Sequence, residues 1–164
     1  KINNRFNSAG GRKNSHRGVD IHTGDNKVDV HSLLCGEVVF IKTSFASNEY
    51  NSTSLGNLVV IKSKDKDDKT VYIMYCHLDT VKVAKGDKVK HNDLLGISGS
   101  TGNAGSVYEN GKLIHGIEPE NYHIHIEAST SYVADTATFK NVASSRVNPE
   151  NYMKTKFDNN GNKI

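Results

Sequence analysis

Two histidines, His123 and His125, are separated by one residue in the β-forming stretch Tyr122–Ile126. Side chains at positions i and i+2 of a strand point to the same face of the sheet. Two imidazoles on one face suit a single metal ion, or one metal ligand with a catalytic base beside it. The pair therefore predicts metal-dependent chemistry.

A second pair of candidate ligands, His16 and Asp20, lies near the start of the chain. Because Gly18 and Val19 are poor helix formers, this segment is predicted to be a loop that leads into a strand, with both side chains turned to one ion. With either histidine of the downstream pair, the set supplies N, O and N donors. A catalytic zinc site has three such protein ligands and an open position for water. The remaining histidine would lie beside the metal as a general base or would stabilise developing charge.

A third candidate, His77, follows the apolar run Val71–Cys76. A lone histidine at the end of a buried strand is more often a hydrogen-bonded core residue than a catalytic one. Its occurrence together with the two pairs in one small domain favours a catalytic role. The remaining histidines are predicted to face solvent or to lie in turns and loops: His22, His31, His91 and His115.

The elements that must position these residues are predicted to be strands. Alternating β-branched residues at Gly36–Lys42, Leu58–Ile61 and Thr70–Cys76 predict three of them, and the charged run Lys64–Lys69 predicts a solvated hairpin tip between the last two. Turn signals recur roughly every 8–12 residues, and helical periodicity never exceeds about two turns. The sequence therefore predicts an all-β fold, an antiparallel β-sheet domain with few or short helices.

Two polar stretches, Phe45–Gly56 and Asn103–Asn121, are predicted to be loops. The second lies directly before His123, so we expect it to border the site. A chain of 164 residues suits one domain. We assign residues 1–156 to this domain and residues 157–164 to a C-terminal tail.

Composition argues against several classes of function. The net charge is only +3, from 21 basic and 18 acidic residues, so we expect no nucleic-acid partner. Since no run of 18 apolar residues occurs, we expect no membrane span. The chain does not begin with Met, and its first residues lack the apolar centre of a signal peptide. We therefore expect a fragment or a processed form whose export signal lies outside it.

The two cysteines, Cys35 and Cys76, do not form a disulfide framework. Both lie in apolar contexts, which predicts buried and unreactive thiols. A single bridge between them stays an open alternative.

Five motifs follow one another along the chain. They are HxGxD at 16–20, Tyr-x-His-Leu at 75–78, VxxGDxV at 83–89, LGxxGxTG at 95–102, and His-Ile-His-Ile-Glu at 123–127. With these motifs in this order, the chain resembles the lysostaphin-type (LytM-like) zinc metallopeptidases of family M23, whose last motif reads HLHFE. The resemblance extends from about Arg5 to Tyr152.

The resemblance implies that His16, Asp20 and His125 are the ligands of Zn²⁺. It implies that His77 and His123 are catalytic histidines, which activate water and stabilise the oxyanion. It also implies an antiparallel β domain of the duplicated-hybrid-motif type, with the site in an open groove.

The chain departs from the family pattern at Ala104–Tyr122, a stretch that intervenes before the final motif, where the family closes within a few residues. Tyr122 also replaces a proline that is common in the family. We expect this insertion to form one wall of the groove and so to influence which substrates are preferred.

The function implied by the resemblance is that of a zinc-dependent endopeptidase that hydrolyses cross-links or stem peptides of peptidoglycan. Such a monomeric domain would act in the periplasm or outside the cell, as a secreted enzyme or as an antibacterial effector with a cognate inhibitor protein. One alternative is a catalytically silent cell-wall-binding or regulatory module, against which the intact site positions argue. Another is a biotinyl- or lipoyl-type carrier, suggested by Val83–Gly99, but no lysine attachment motif is evident.

Overall fold

Short β-strands make up nearly all of the regular structure. In a computed structural model, the described residues are 1–8, 16–109, 112–115, 122–139 and 145–164, with the backbone alone at 107–109 and 112–115. Over these residues the regular helix is a single 3₁₀ turn at Pro149–Tyr152, and no helix is long and apolar enough to cross a bilayer. The strands are β1 (Ile2–Asn4), β2 (Val19–His22), β3 (Asp29–His31), β4 (Gly36–Lys42), β5 (Asn57–Lys64), β6 (Thr70–Val81), β7 (Lys88–Val89), β8 (Leu94–Ser98), β9 (Ser106–Glu109), β10 (Lys112–His115), β11 (His123–Ser129) and β12 (Arg146–Val147).

Ten of these strands form one open sheet in which every strand pair is antiparallel. The order is β1-β2-β11-β6-β5-β4-β7, with β12 paired to β11 and with β8 paired to both β6 and β3. The prediction of an all-β antiparallel fold with few or short helices is confirmed. The central strands are β11, β6 and β5, and these hold most of the buried hydrophobic residues among those described.

The stretch Asn103–Asn121 was predicted to be a continuous loop, and this prediction is wrong. Strands β9 and β10 pair with each other in a separate two-stranded sheet. The sequence carries a signal for it, because Asn110-Gly111 is a strong hairpin dipeptide and β-forming residues flank it on both sides. The stretch as a whole is polar, and for this reason it was predicted to be a loop.

The central strands have two different faces, because successive side chains alternate across a sheet. One face, here called the core face, packs the larger hydrophobic cluster, which includes Val59, Ile61, Tyr75, Ile124 and Ile126. The opposite face, here called the site face, packs a smaller cluster, which consists of Leu58, Val60, Met74, Cys76 and Phe139. Burial on both faces explains why β5 begins with a continuous apolar run rather than an alternating one.

The hairpin between β5 and β6 has the solvated tip that the sequence predicts. Its residues are mostly exposed, and Asp65 Oδ1 accepts hydrogen bonds from the backbone N–H groups of Asp67 (2.8 Å) and Lys69 (2.9 Å). The segment Phe45–Gly56 contains no strand, which agrees with the predicted loop. At the C-terminus, Ile2 N donates to Gly161 O over 2.8 Å, so the last residues pack against β1.

The two cysteines are free thiols with different surroundings. Cys76 is buried as predicted, whereas Cys35 is exposed, so the prediction of burial is wrong for Cys35. The apolar neighbours of Cys35 are only partly buried beside the core, which leaves its thiol at the surface. Burial raises the pKa of Cys76 well above its usual value, and the negative charge of Glu127 adds to this effect.

A thiol reagent is expected to distinguish these two residues. In the native protein one thiol per chain, that of Cys35, should react with a disulfide reagent within minutes, because only a thiolate that solvent can reach is attacked. In denaturant two thiols should react. The released chromophore measures both numbers, and a Cys35→Ser variant should show no fast thiol. Two fast thiols in the native protein would contradict the burial of Cys76.

Candidate active site

Three neighbouring strands of the sheet, β2, β11 and β6, carry the candidate site. Asp20 of β2 lies opposite His125 of β11, and His22 lies opposite His123. Side chains that lie opposite each other on neighbouring strands share one face. His125 also lies opposite Cys76 of β6, so all of these side chains are on the site face. The predicted loop before Asp20 is confirmed, since β2 begins at Val19.

The carboxylate of Asp20 is the centre of a buried cluster. Its Oδ1 atom is 2.7 Å from Nδ1 of His125 and 3.3 Å from Nε2 of His16. The potential ligand atoms of the three residues all lie within 4.8 Å of one another, and the residues are only 5%, 6% and 7% exposed. Two imidazole nitrogens and one carboxylate oxygen fit Zn²⁺, whereas Mg²⁺ and Ca²⁺ prefer sets of oxygen ligands. The residues present therefore fit a zinc ion with an open coordination position.

The charges in this cluster are coupled. Burial raises the pKa of Asp20, but the hydrogen bonds from His125 and His16 outweigh burial and hold this pKa well below its usual range. Burial lowers the pKa of His125, but the hydrogen bonds to Asp20 and Glu127 outweigh it and raise the pKa to about 9. Asp20 is therefore ionised and can act as an anionic metal ligand. A metal that binds here would displace the proton between Asp20 and His125.

Strand β1 and the residue after it orient the first two candidate ligands. Nδ1 of His16 lies 3.2 Å from the backbone oxygen of Arg5. Because a carbonyl oxygen can only accept, Nδ1 carries a proton, and Nε2 is the atom that faces Asp20. Asn4 Nδ2 donates to Asp20 Oδ2 over 3.0 Å, which leaves Oδ1 directed at the two histidines.

Gly18, between His16 and Asp20, allows the backbone just before β2 to approach β11 closely. A Cβ atom at this position would lie 2.1 Å from the backbone oxygen of Ile126 and 3.0 Å from Cε1 of His125. The neighbouring atom is backbone in the central sheet, so it cannot move aside. The glycine of the HxGxD motif is therefore required by packing rather than by chemistry.

Gly18→Ala is expected to lower the free energy of unfolding by about 3 kcal/mol, the upper part of the usual range for overpacking. Chemical denaturation of the metal-free protein measures this change. Gly24→Ala is the matched control, because a Cβ there meets nothing within 4 Å and only the positive φ of 75° opposes it. That control should cost about 1 kcal/mol. Equal losses in the two variants would contradict the packing argument.

The sequence predicted that His77 follows the end of a strand. In the structure His77 lies within β6, because this strand continues to Val81. Where β5 has the single residue Leu58, β6 has two residues, Cys76 and His77, which form a β-bulge. The φ angle of His77 is +62°, an uncommon value for a residue other than glycine. In a regular strand the residue after Cys76 would point to the core face. The bulge turns the imidazole of His77 to the site face instead.

The ring of His77 is buried beside the other site histidines. Its centroid lies 4.9 Å from that of His123 and 5.8 Å from that of His125. Burial, together with positive charge on these two histidines, lowers the pKa of His77 well below its usual value. Nδ1 of His77 lies 2.8 Å from the backbone oxygen of Thr101 and must therefore donate its proton to it. The neutral ring consequently has its acceptor lone pair on Nε2.

Thr101 holds the ring of His77 in place through its backbone oxygen. The sequence did not predict this role. The residue is fully buried, and its Oγ1 atom donates to Leu78 O over 2.8 Å and accepts from Asn57 N over 3.0 Å. The next residue, Gly102, has a φ of +73°, and a Cβ atom there would lie 2.3 Å from Gly56 N. The LGxxGxTG motif therefore has a local function, which is to bring the Thr101 carbonyl to His77.

The structure brings together the five residues that the sequence singled out: His16, Asp20, His77, His123 and His125. His31 is exposed as predicted, but His22 is half-buried on the site face rather than turned to solvent. Glu127, which was noted only as part of a motif, is buried against His125. The side chain of His115 and residues 110–111 and 116–121 lie outside the described part of the chain, so the predicted wall of the groove stays a prediction.

An open antiparallel sheet with a convergent His/Asp/His cluster and two further histidines defines a candidate metallohydrolase. Residues 14–134 match the sequence model of Peptidase family M23. The chain belongs to this family, which is a family of metallopeptidases. The resemblance to family M23, which rests on the five motifs, is thereby confirmed.

Relatives and solved structures agree with this assignment. An uncharacterized metalloprotease of Buchnera aphidicola subsp. Baizongia pistaciae is 30% identical over 112 residues, which is 68% of this chain but only 25% of that protein. The catalytic domain of lysostaphin from Staphylococcus simulans is similar in fold, with a TM-score of 0.57, 20% identity, and coverage of 94% of this chain and 92% of that one. The catalytic domain of the prophage-encoded M23 protein EnpA from Enterococcus faecalis gives a TM-score of 0.56, 22% identity, and coverage of 91% and 88%. At these identities the two structures show a common fold.

Proposed function

We propose that this protein is a zinc-dependent endopeptidase that hydrolyses peptide cross-links or stem peptides of bacterial peptidoglycan. The observation that carries the proposal is the position of the His16, Asp20 and His125 ligand atoms, within 4.8 Å of one another, next to the packed rings of His77 and His123. Membership of a metallopeptidase family supports amide hydrolysis. The substrate class is supported by the fold shared with lysostaphin, which is described as an antimicrobial peptidase.

The proposed roles follow from the atoms that each residue presents. His16 Nε2, Asp20 Oδ1 and His125 Nδ1 would hold the zinc ion. When bound, zinc would acidify a water molecule and polarise the scissile carbonyl. His77, neutral and with its lone pair on Nε2, would accept the proton of the attacking water. His123 would donate a hydrogen bond to the carbonyl oxygen as negative charge develops there.

The proposed substrate sets the place of action, because peptidoglycan lies in the periplasm or outside the cell. We expect the protein to work there as a monomer, either as a secreted enzyme or as a domain delivered into rival cells. An effector would require a cognate inhibitor that protects the producing cell. Such an inhibitor would be expected to cover the site face near His77 and His123, and it would be found by co-purification from the producing strain.

Digestion of purified cell walls tests the proposed function. Walls with different cross-bridges are incubated with the zinc-loaded protein, with and without a chelator, and the muropeptides are identified by mass spectrometry. We expect new amino and carboxyl ends at one type of peptide bond, loss of the products with chelator, and recovery when zinc is added back. Walls left uncut by protein that has bound zinc would contradict the proposal and favour the catalytically silent wall-binding module.

A further inference from the structure

A buried carboxylate touches the candidate site without being one of its five residues. Glu127 lies on β11 two residues after His125, on the same face of the sheet, and is 4% exposed. Its Oε1 atom lies 3.0 Å from Nε2 of His125. Its Oε2 atom accepts a hydrogen bond from Nη1 of Arg146, which is on the adjacent strand β12. The two nitrogens of His125 therefore face two different carboxylates, those of Asp20 and Glu127.

We propose that Glu127, held in place by Arg146, is a positioning residue that fixes the ring of His125 so that Nδ1 is the atom presented to the metal. The inference rests on the proposed function, because it takes His125 to be a metal ligand. Glu127 does not itself bind the metal in this arrangement, since the ring of His125 separates its carboxylate from the cluster.

The first argument concerns the two nitrogens of the imidazole ring. A neutral imidazole has a proton on one nitrogen and a lone pair on the other, and only the nitrogen with the lone pair binds a metal. A carboxylate only accepts hydrogen bonds, so Glu127 requires the proton to be on Nε2 of His125. The lone pair is then on Nδ1, which lies 2.7 Å from Asp20 Oδ1 inside the ligand cluster. Metal-binding histidines commonly have such a carboxylate on their second nitrogen.

The second argument concerns the cost of a buried carboxylate. Glu127 and Arg146 are 5% and 11% exposed at their side chains, so an unpaired charge on either would be strongly unfavourable. The guanidinium group is always protonated and therefore keeps Glu127 as an anionic acceptor. Arg146 in turn lies over the ring of Phe139, with its central carbon 5.6 Å from the ring centroid. This support fixes the carboxylate relative to the sheet that carries His125.

A purely structural ion pair would have a different signature. If Glu127 only stabilised the fold, its loss would lower the stability of the metal-free protein and would leave the zinc affinity of the folded protein unchanged. A positioning role lowers the zinc affinity itself, because the ring is then free to rotate or to change its tautomer before it binds. Zinc affinity is therefore the measurement that separates the two roles.

The test uses the whole chain and zinc alone, with no substrate. Glu127→Gln keeps the shape of the side chain and removes its charge, and circular dichroism checks that the variant is folded. Zinc affinity is measured by competition with a chromophoric chelator, and we expect the dissociation constant to rise by about 10–100-fold. Glu37→Gln is the matched control, since it removes the same charge from a surface pair with Lys88 (2.8 Å) far from the ligands, and its affinity should equal that of the wild type.

Each outcome decides the inference. Weaker zinc binding in Glu127→Gln, with normal binding in Glu37→Gln, supports the positioning role. Equal affinity of the wild type and Glu127→Gln overturns the positioning role and leaves the proposed function intact. A wild-type protein that binds no zinc overturns both. Equal losses in the two variants would reflect the removed charge in general and would also contradict the proposal.

Discussion

Replacement of His125 by alanine is expected to abolish zinc binding and, with it, hydrolysis. The ring supplies one of three convergent ligand atoms, and the two that remain, on His16 and Asp20, are 3.3 Å apart. Two protein ligands are fewer than catalytic zinc sites use. Zinc per chain, measured by elemental analysis after dialysis, should fall from one to near zero. Release of muropeptides should fall by a factor on the order of 10⁴ or more, the scale seen when a catalytic unit loses one member.

The matched control for this prediction is His31→Ala. His31 is exposed on β3, and its Nδ1 atom lies 2.8 Å from Asn92 O, so its loss removes an imidazole without touching the ligand cluster. This variant should bind one zinc and cut walls at the wild-type rate. If folded His125→Ala retained a full equivalent of zinc, the assignment of the ligand set would be wrong.

Replacement of His77 by asparagine is expected to lower kcat by about 10²–10⁴-fold, the usual contribution of a general base, while one zinc per chain stays bound. Asparagine is the right substitute, because it adopts the positive φ of this position more readily than most residues do and so preserves the bulge. His77 is not one of the three residues of the ligand cluster, and its ring centroid lies 5.8 Å from that of His125. Loss of the base should therefore affect the rate of the chemical step rather than the metal.

Steady-state kinetics on a soluble muropeptide, together with zinc analysis, measures this separation. KM is expected to change little, because His77 acts on the proton of water rather than on the substrate. His91→Asn is the control, since His91 lies in a turn and its Nδ1 atom is 2.9 Å from Leu33 O. Concurrent loss of zinc in His77→Asn would show that His77 supports the metal and would contradict its role as a base.

Much of the fold could be predicted from sequence because its signals are local. β-branched residues alternate along β4, the hairpin of β5 and β6 has a charged tip, and few residues show helical periodicity. For the candidate site, the single residue between His123 and His125 predicts that both side chains point to one face of a strand. The choice of His125 as the metal ligand came from the resemblance to family M23 and stays a prediction, and the position of Asp20 opposite His125 is a strand pairing that only the structure gives.

The remaining features of the fold and the site depend on tertiary contacts. The spacing of residues along the sequence does not reveal these contacts. The bulge at His77 is a mismatch between two strands, and it becomes visible only when β5 is paired with β6. The contact of Thr101 with His77 joins positions 24 residues apart in the sequence. Glu127 meets His125 within one strand, but its partner Arg146 comes from another strand. Cys35 was predicted to be buried from its apolar neighbours, which are themselves only partly covered.

The alternation of side chains along β11 has a consequence for evolution and for engineering. His123 and His125 point to one face, while Ile124 and Ile126, between and beside them, fill the core on the other. A substitution that repacks the core at these positions would also displace the neighbouring imidazole rings, to which we assign the proposed catalytic and ligand roles. New specificities are therefore more accessible through the connections than through the strands. Directed libraries should leave β2, β6 and β11 unchanged, and also Leu55 and Gly56, because Leu55 O accepts a hydrogen bond from His77 N and Gly56 packs against Gly102.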